Sequence, residues 1–237
     1  MEYKEDTFGG KVLQFNDYLA SVNVELPDGF LLNNPFNGIN KKQINEITKK
    51  FYNKFYNDNN YRRLIIGSSP ARRGTAVTGI PYEDAQHLKN ITGIHIDNFY
   101  INKSSSNFLY DIIEKYGGSE KFYSKFYMNF ICPLGIVKIN SKGNEVNCNY
   151  YENKKVQKIL YSFMLESLKK QIEFGIDTSI VYCIGSGENY DFLTKLNNKY
   201  HLFETIIPLE HPRYIMQYDS KHKSEYIKKY LSALNID

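Results

Sequence analysis

The sequence predicts an α/β fold, a three-layer α/β/α arrangement around a mostly parallel central sheet. Three observations predict it. Short apolar runs ending in glycine, RRLIIG and SIVYCIGSG, read as buried strands. Stretches of helical spacing alternate with them along the chain. No internal repeat or low-complexity linker divides the 237 residues, so one domain over 1–237 is expected. Strands that alternate with helices favour parallel pairing, because a parallel neighbour needs a long crossover that a helix fills.

The elements follow in order. From about Lys41 to Tyr56, Ile44, Ile47, Phe51 and Phe55 recur at helical spacing before the polar break NDNN. RRLIIG is then a short strand stopped by Gly67. Residues 107 to 116 put Phe108, Ile112 and Ile113 on one helical face. FYMNFICPLGIVKI reads as a strand stopped by Pro133 and then a further extended run, with Gly143 and Asn144 marking a hairpin turn. Val156, Leu160, Phe163, Leu168 and Ile172 give a helix from Lys154 to Phe174, which Gly175 stops. SIVYCIGSG, the helical NYDFLTKLNNKY, a third strand from Phe203 to Leu209 and a last helix from about His222 to Leu234 complete the pattern. In such sheets ligands bind at the carboxyl ends of the strands. GSSPARRG, the segment around Asn129 and Pro133, GSGEN and EHPR all fall there.

Composition sets outer bounds. With 42% hydrophobic and 24% charged residues the chain is globular in type, and no run approaches the roughly 18 apolar residues of a membrane span. The acidic start MEYKEDTFGG shows no signal peptide, and Cys132, Cys148 and Cys183 lack CxxC spacing, so a reducing, cytoplasmic setting is expected. No His/Cys/Asp set has metal-ligand spacing, and GSGEN is neither a P-loop nor a full GxGxxG, so no metal or organic cofactor is expected. The formal charge of +4 permits a nucleic-acid partner without requiring one. Only five of the 30 basic residues are arginines, and Arg62, Arg63, Arg72 and Arg73 lie in or just before GSSPARRG. The planar guanidinium suits phosphate oxygens.

LIIGSSPARRGTAVTGIPY resembles the first motif of the single-strand-selective monofunctional uracil-DNA glycosylases, GxNPGxxGxxxTGxPF. MNFICPL is similar to that family's central NYCPL segment, and LEHPRYIMQY resembles its closing HPSPR motif, more closely in the shorter form of bacterial relatives. The three matches keep the family order over roughly residues 61 to 218. The resemblance implies a uracil-DNA glycosylase-like fold and a monofunctional enzyme of base excision repair. It would hydrolyse the N-glycosidic bond of uracil, with other deaminated bases as further candidates, in single- or double-stranded DNA. It would act without a cofactor and as a monomer.

The resemblance also assigns roles. Asn129 aligns with the asparagine that reads the uracil edge, Tyr82 with the aromatic residue that stacks on the base, and His211 with the histidine that donates to the departing base. Gly67, Ser68, Pro70 and Gly79 shape the loop around the nucleotide. Arg72 and Arg73 stand where the better-known enzymes have apolar residues or proline, and their guanidinium groups make them candidate phosphate contacts, with a solvated surface pair as the alternative. Arg213, Tyr214 and Met216 follow the histidine where related enzymes insert a wedge into the base stack. The departure is Ser69, where the family has asparagine and related glycosylases aspartate. Three readings follow: Ser68 or Ser69 orients the water, Asp84 takes the role from a shifted position, or activity is largely lost. The first is favoured, because a departing uracil anion makes the barrier largely dissociative. The rivals to catalysis are a DNA- or base-binding protein on the same fold and a small-molecule nucleotide enzyme.

Overall fold

The computed structural model describes residues 4–72, 74–94 and 103–235. The chain enters through α1 (Phe8–Ser21), whose Thr7 hydroxyl accepts from the Gly10 amide as the N-cap. A short strand β1 (Phe30–Asn33) and α2 (Lys41–Phe55) follow, and the apolar stripe Ile44, Ile47, Phe51 and Phe55 is buried as its spacing predicts. Next come β2 (Arg62–Gly67), the one-turn α3 (Thr75–Thr78), α4 (Ala85–Thr92), α5 (Lys103–Tyr116) and α6 (Ser119–Lys125). The strands β3 (Phe126–Phe130), β4 (Gly135–Ile139) and β5 (Glu145–Cys148) are followed by a 3-10 turn, Tyr150–Glu152, and another such turn, Ser220–His222, comes late in the chain. The remainder is α7 (Lys154–Ile172), β6 (Ile176–Ile184), α8 (Glu188–Tyr200), β7 (Thr205–Leu209), α9 (Pro212–Tyr218) and α10 (Lys223–Leu234).

The central sheet has the order β3-β2-β6-β7, and all three pairings are parallel. Strand alternation puts neighbouring aromatics on opposite faces. Tyr127 packs against Phe8, Tyr56 and Phe174 on the side of α1, α2 and the end of α7. Phe126 meets Tyr182 and Tyr116 on the side of α5 and α10, where the Tyr182 hydroxyl donates to the Ala233 carbonyl. The sheet thus lies between two helical layers, as α/β alternation requires.

FYMNFICPLGIVKI breaks where Pro133 stands, but its two halves enter different sheets. β3 belongs to the parallel sheet, while β4 pairs antiparallel with β1 and β5 in a separate three-stranded sheet. The β4–β5 hairpin turns at Asn140–Asn144, where Gly143 has φ +75°. This small sheet matters for function because it delivers Asn147, Cys148 and Asn149 to the carboxyl edge of the large one.

Candidate active site

A cleft of about 670 Å³ opens at the carboxyl ends of the parallel strands. One wall is the loop after β2. Gly67 ends that strand under two rings: a Cβ there would run into the Tyr82 hydroxyl and lie 3.0 Å from the Phe130 ring. Only glycine leaves that space. Ser68, Ser69 and Pro70 follow into the cleft wall. Both serine hydroxyls donate to one acceptor, Asn149 Oδ1, at 2.8 Å from Ser68 and 3.1 Å from Ser69.

Tyr82, whose hydroxyl lies over Gly67, faces Phe130, ring centroids 5.0 Å apart. Tyr82 has φ +61°, the left-handed region that costs a residue with a Cβ of order 1–2 kcal/mol. The Thr75 hydroxyl holds it there by accepting from the Tyr82 amide at 2.9 Å. A strained backbone maintained by a dedicated hydrogen bond at a cleft is where function is expected.

His211 supplies the third element. β7 ends at Leu209, and His211 is the N-cap of α9, its Nδ1 accepting from the Arg213 amide at 3.0 Å. An imidazole that accepts at Nδ1 carries its proton on Nε2. Burial of the ring, with the Arg213 guanidinium as the smaller cause, pushes its pKa down to about 4. His211 is therefore a neutral N–H donor on the cleft wall at physiological pH.

Two carboxyl groups also border the cleft. Glu83 is buried, and burial raises it to about 8 even though the Tyr110 and Tyr123 hydroxyls both donate to it. Asp84 behaves in the opposite way. Burial would raise it, but the His87 amide at 3.0 Å, the His87 ring at 2.9 Å and the Ser106 hydroxyl at 2.9 Å hold it below the usual carboxylate range. Its oxygens are engaged in tying α4 to α5, which leaves them poorly placed to take a proton from water.

A family model for the uracil DNA glycosylase superfamily matches residues 53–235. The chain belongs to that superfamily. The crystal structure of wild-type SMUG2 from Pedobacter heparinus is 43% identical to it, covers 96% of each chain and superimposes with a TM-score of 0.90. No curated protein matches the chain. The three-layer fold with its parallel four-stranded sheet is therefore that of the uracil-DNA glycosylases.

Within that superfamily fold the expected site residues divide. Ser68, Ser69, Pro70, Tyr82, Asp84, His211, Arg213 and Tyr214 all line the one cleft. Gly67 shapes it from beneath. Gly79, with φ +74°, faces α2 instead, where a Cβ would meet Ile44 and Thr48. Asn129 shares a face of β3 with Tyr127, and both its polar atoms are engaged there. Its Nδ2 donates to the Tyr127 hydroxyl at 2.6 Å and its Oδ1 accepts from the Phe130 amide at 2.9 Å. It borders a separate cavity of about 10 Å³, room for one water, that Thr75 and Phe130 divide from the cleft. Met216 is half-buried and packs on the core. The GSGEN loop lies outside the cleft lining, and Asn189 from it closes on the Ile184 carbonyl and the Tyr150 hydroxyl.

The arginine cluster separates as well. Arg62 is wholly buried and Arg63 pairs with Asp177 at 3.3 Å, both at the far end of β2. Arg72 stays near the cleft with an ion pair to Glu145 at 3.4 Å. Arg73 lies outside the described residues. Asn149, Tyr151, Phe130 and Tyr218 were not anticipated as site residues. Asparagine and tyrosine are so common in this chain that their identity alone gives no signal. Among the described residues no group of three or more His, Cys, Asp or Glu gathers as a metal site, and no helix is long and apolar enough to cross a membrane.

Proposed function

We propose that this protein is a single-domain, monofunctional DNA glycosylase that hydrolyses the N-glycosidic bond of uracil in DNA. Superfamily membership supports glycosylase chemistry, and the neutral His211 on the wall of a cleft shared with Ser68, Ser69 and Tyr82 carries the reading. In this mechanism the target nucleotide leaves the stack and its base enters the cleft between the aromatic wall and His211. Stacking on Tyr82 contributes about 1–3 kcal/mol. The bond from the base nitrogen to C1′ breaks and its electron pair stays with the base. His211 Nε2–H donates to the base oxygen that gains the charge, an interaction strongest in the transition state. Water adds to C1′ and releases its proton to solvent, so no residue has to act as a strong base.

Among the described residues that line the cleft none is a lysine, which supports hydrolysis over a Schiff-base route. Arg72 and Arg213 stand where they can meet phosphates. Tyr214 and Tyr218, half and three-quarters exposed with centroids 6.0 Å apart, offer rings to flanking bases. The part of Asn129 in reading the base rests on the motif resemblance alone, since its amide is engaged within the protein. The rival reading, a base-binding protein without catalysis, draws on Ser69.

The test is incubation with single- and double-stranded oligonucleotides carrying one uracil, with borohydride present in parallel. The expected products are free uracil and an abasic site, with no protein–DNA adduct trapped. DNA retained in a salt-dependent way with no abasic site at enzyme excess would establish the binding protein instead.

A further inference from the structure

Neither serine hydroxyl is a base, and each must be oriented before it can orient anything else. The residue that does so comes from the small sheet. Asn149, at the end of the β4–β5 hairpin, places Oδ1 between Ser68 Oγ and Ser69 Oγ, at 2.8 and 3.1 Å. Its orientation follows from its other neighbour. Glu152 Oε1 accepts from both the Asn149 backbone amide at 2.7 Å and Nδ2 at 2.9 Å. A carboxylate only accepts, so the NH₂ side of the amide faces Glu152 and the carbonyl side faces the serines. With its proton directed at Asn149, the Ser69 oxygen can only accept from a further partner. Among the described residues it has none, and it lines the cleft.

We infer that Asn149 is a positioning residue for the nucleophilic water: it directs the Ser69 hydroxyl so that its oxygen accepts a hydrogen bond from that water. A water donating to Ser69 Oγ keeps a lone pair free for C1′ and is held at a fixed distance from the base pocket. Glu152 fixes the amide from behind, so the water site is built from two sheets rather than from the β2 loop alone. The inference rests on the glycosylase reading proposed above.

Asn149 is also the N-cap of the Tyr150–Glu152 turn, and the test must separate the two roles. Serine caps a helix as well as asparagine does, but its shorter side chain cannot span from the turn to both serines. Asn149→Ser is expected to keep the wild-type melting temperature and DNA affinity while single-turnover excision falls on the order of 100-fold. Asn149→Asp made together with Glu152→Gln, so that an amide rather than a second carboxylate faces the new group, still accepts from both hydroxyls when ionised and is expected to recover most of that loss at neutral pH. The ratio of its rate to that of the wild type should decline as pH falls through the carboxylate range, because His211 titrates in both proteins. Wild-type excision by Asn149→Ser would overturn the inference. So would loss of activity in both variants with no pH-dependent recovery by the aspartate. A wild-type protein that releases no base would overturn the glycosylase reading and this inference with it.

Discussion

The two ends of β2 use their polar residues in opposite ways. At its start Arg62 is wholly buried, its guanidinium carbon 4.8 and 4.7 Å from the centroids of the Phe8 and Tyr56 rings. All five of its N–H groups are matched: Asp58 takes two, and the carbonyls of Phe55, Asn60 and Tyr123 take the rest. At its finish Ser69 directs a single proton inward and leaves its oxygen facing the cleft. Polarity that is fully satisfied within the chain holds architecture, while polarity left half-satisfied at a cleft is available to a substrate. By that criterion Arg62 belongs to the fold, and the serines of GSSP are the candidates for the chemistry.

The largest effect that could break this contrast is on stability. Replacing Arg62 with methionine leaves the carbonyls of Phe55, Asn60 and Tyr123 without their donor, and should cost about 3 kcal/mol in denaturant unfolding. Excision per folded molecule should be unchanged. A variant of wild-type stability with impaired excision would place Arg62 in the site and dissolve the distinction.

A smaller, pH-dependent effect concerns Glu83, a group of the cleft edge that behaves as core. Its folded pKa of about 8 lies above the ordinary 4.5, so the native state holds a proton that the unfolded chain gives up. Stability from this group should therefore fall as pH rises from about 4.5 to 8. His211 acts with the opposite sign between about 4 and 6.5, which leaves 6.5 to 8 as the clean window. Glu83→Gln should remove the decline there in thermal unfolding followed across pH. An identical slope in both proteins would mean that Glu83 is ionised in the native state.

Much of the fold was legible because the strands announce themselves. LIIG and SIVYCIG are apolar runs ended by glycine, and α2 and α7 carry clear stripes. α1 was not anticipated, since it begins with Gly9 and Gly10, a poor helix signal. The reason for those glycines is tertiary: a Cβ on Gly9 would lie 2.9 Å from the Tyr52 carbonyl oxygen. The three-stranded sheet was hidden because β1 finds its partner about a hundred residues away, where no local pattern speaks. At the site the motif loops were visible as glycine- and proline-rich strand ends. What they could not reveal was direction: Asn129 faces inward by strand alternation, and Asn149 reaches the serines only through the hairpin.

The proposed mechanism depends on a neutral His211 that donates to the departing base. Single-turnover excision of uracil from a single-stranded oligonucleotide, for wild type and His211→Ala across pH 5 to 9, tests it most directly. The loss of the α9 cap, about 1 kcal/mol, is measured separately by unfolding. A fall of about 10²–10³-fold is expected in the variant, with binding little changed. No break is expected in the wild-type profile near 6.5, because the imidazole titrates near 4. A variant that excises at the wild-type rate, or a wild-type rate that breaks near 6.5, would contradict it.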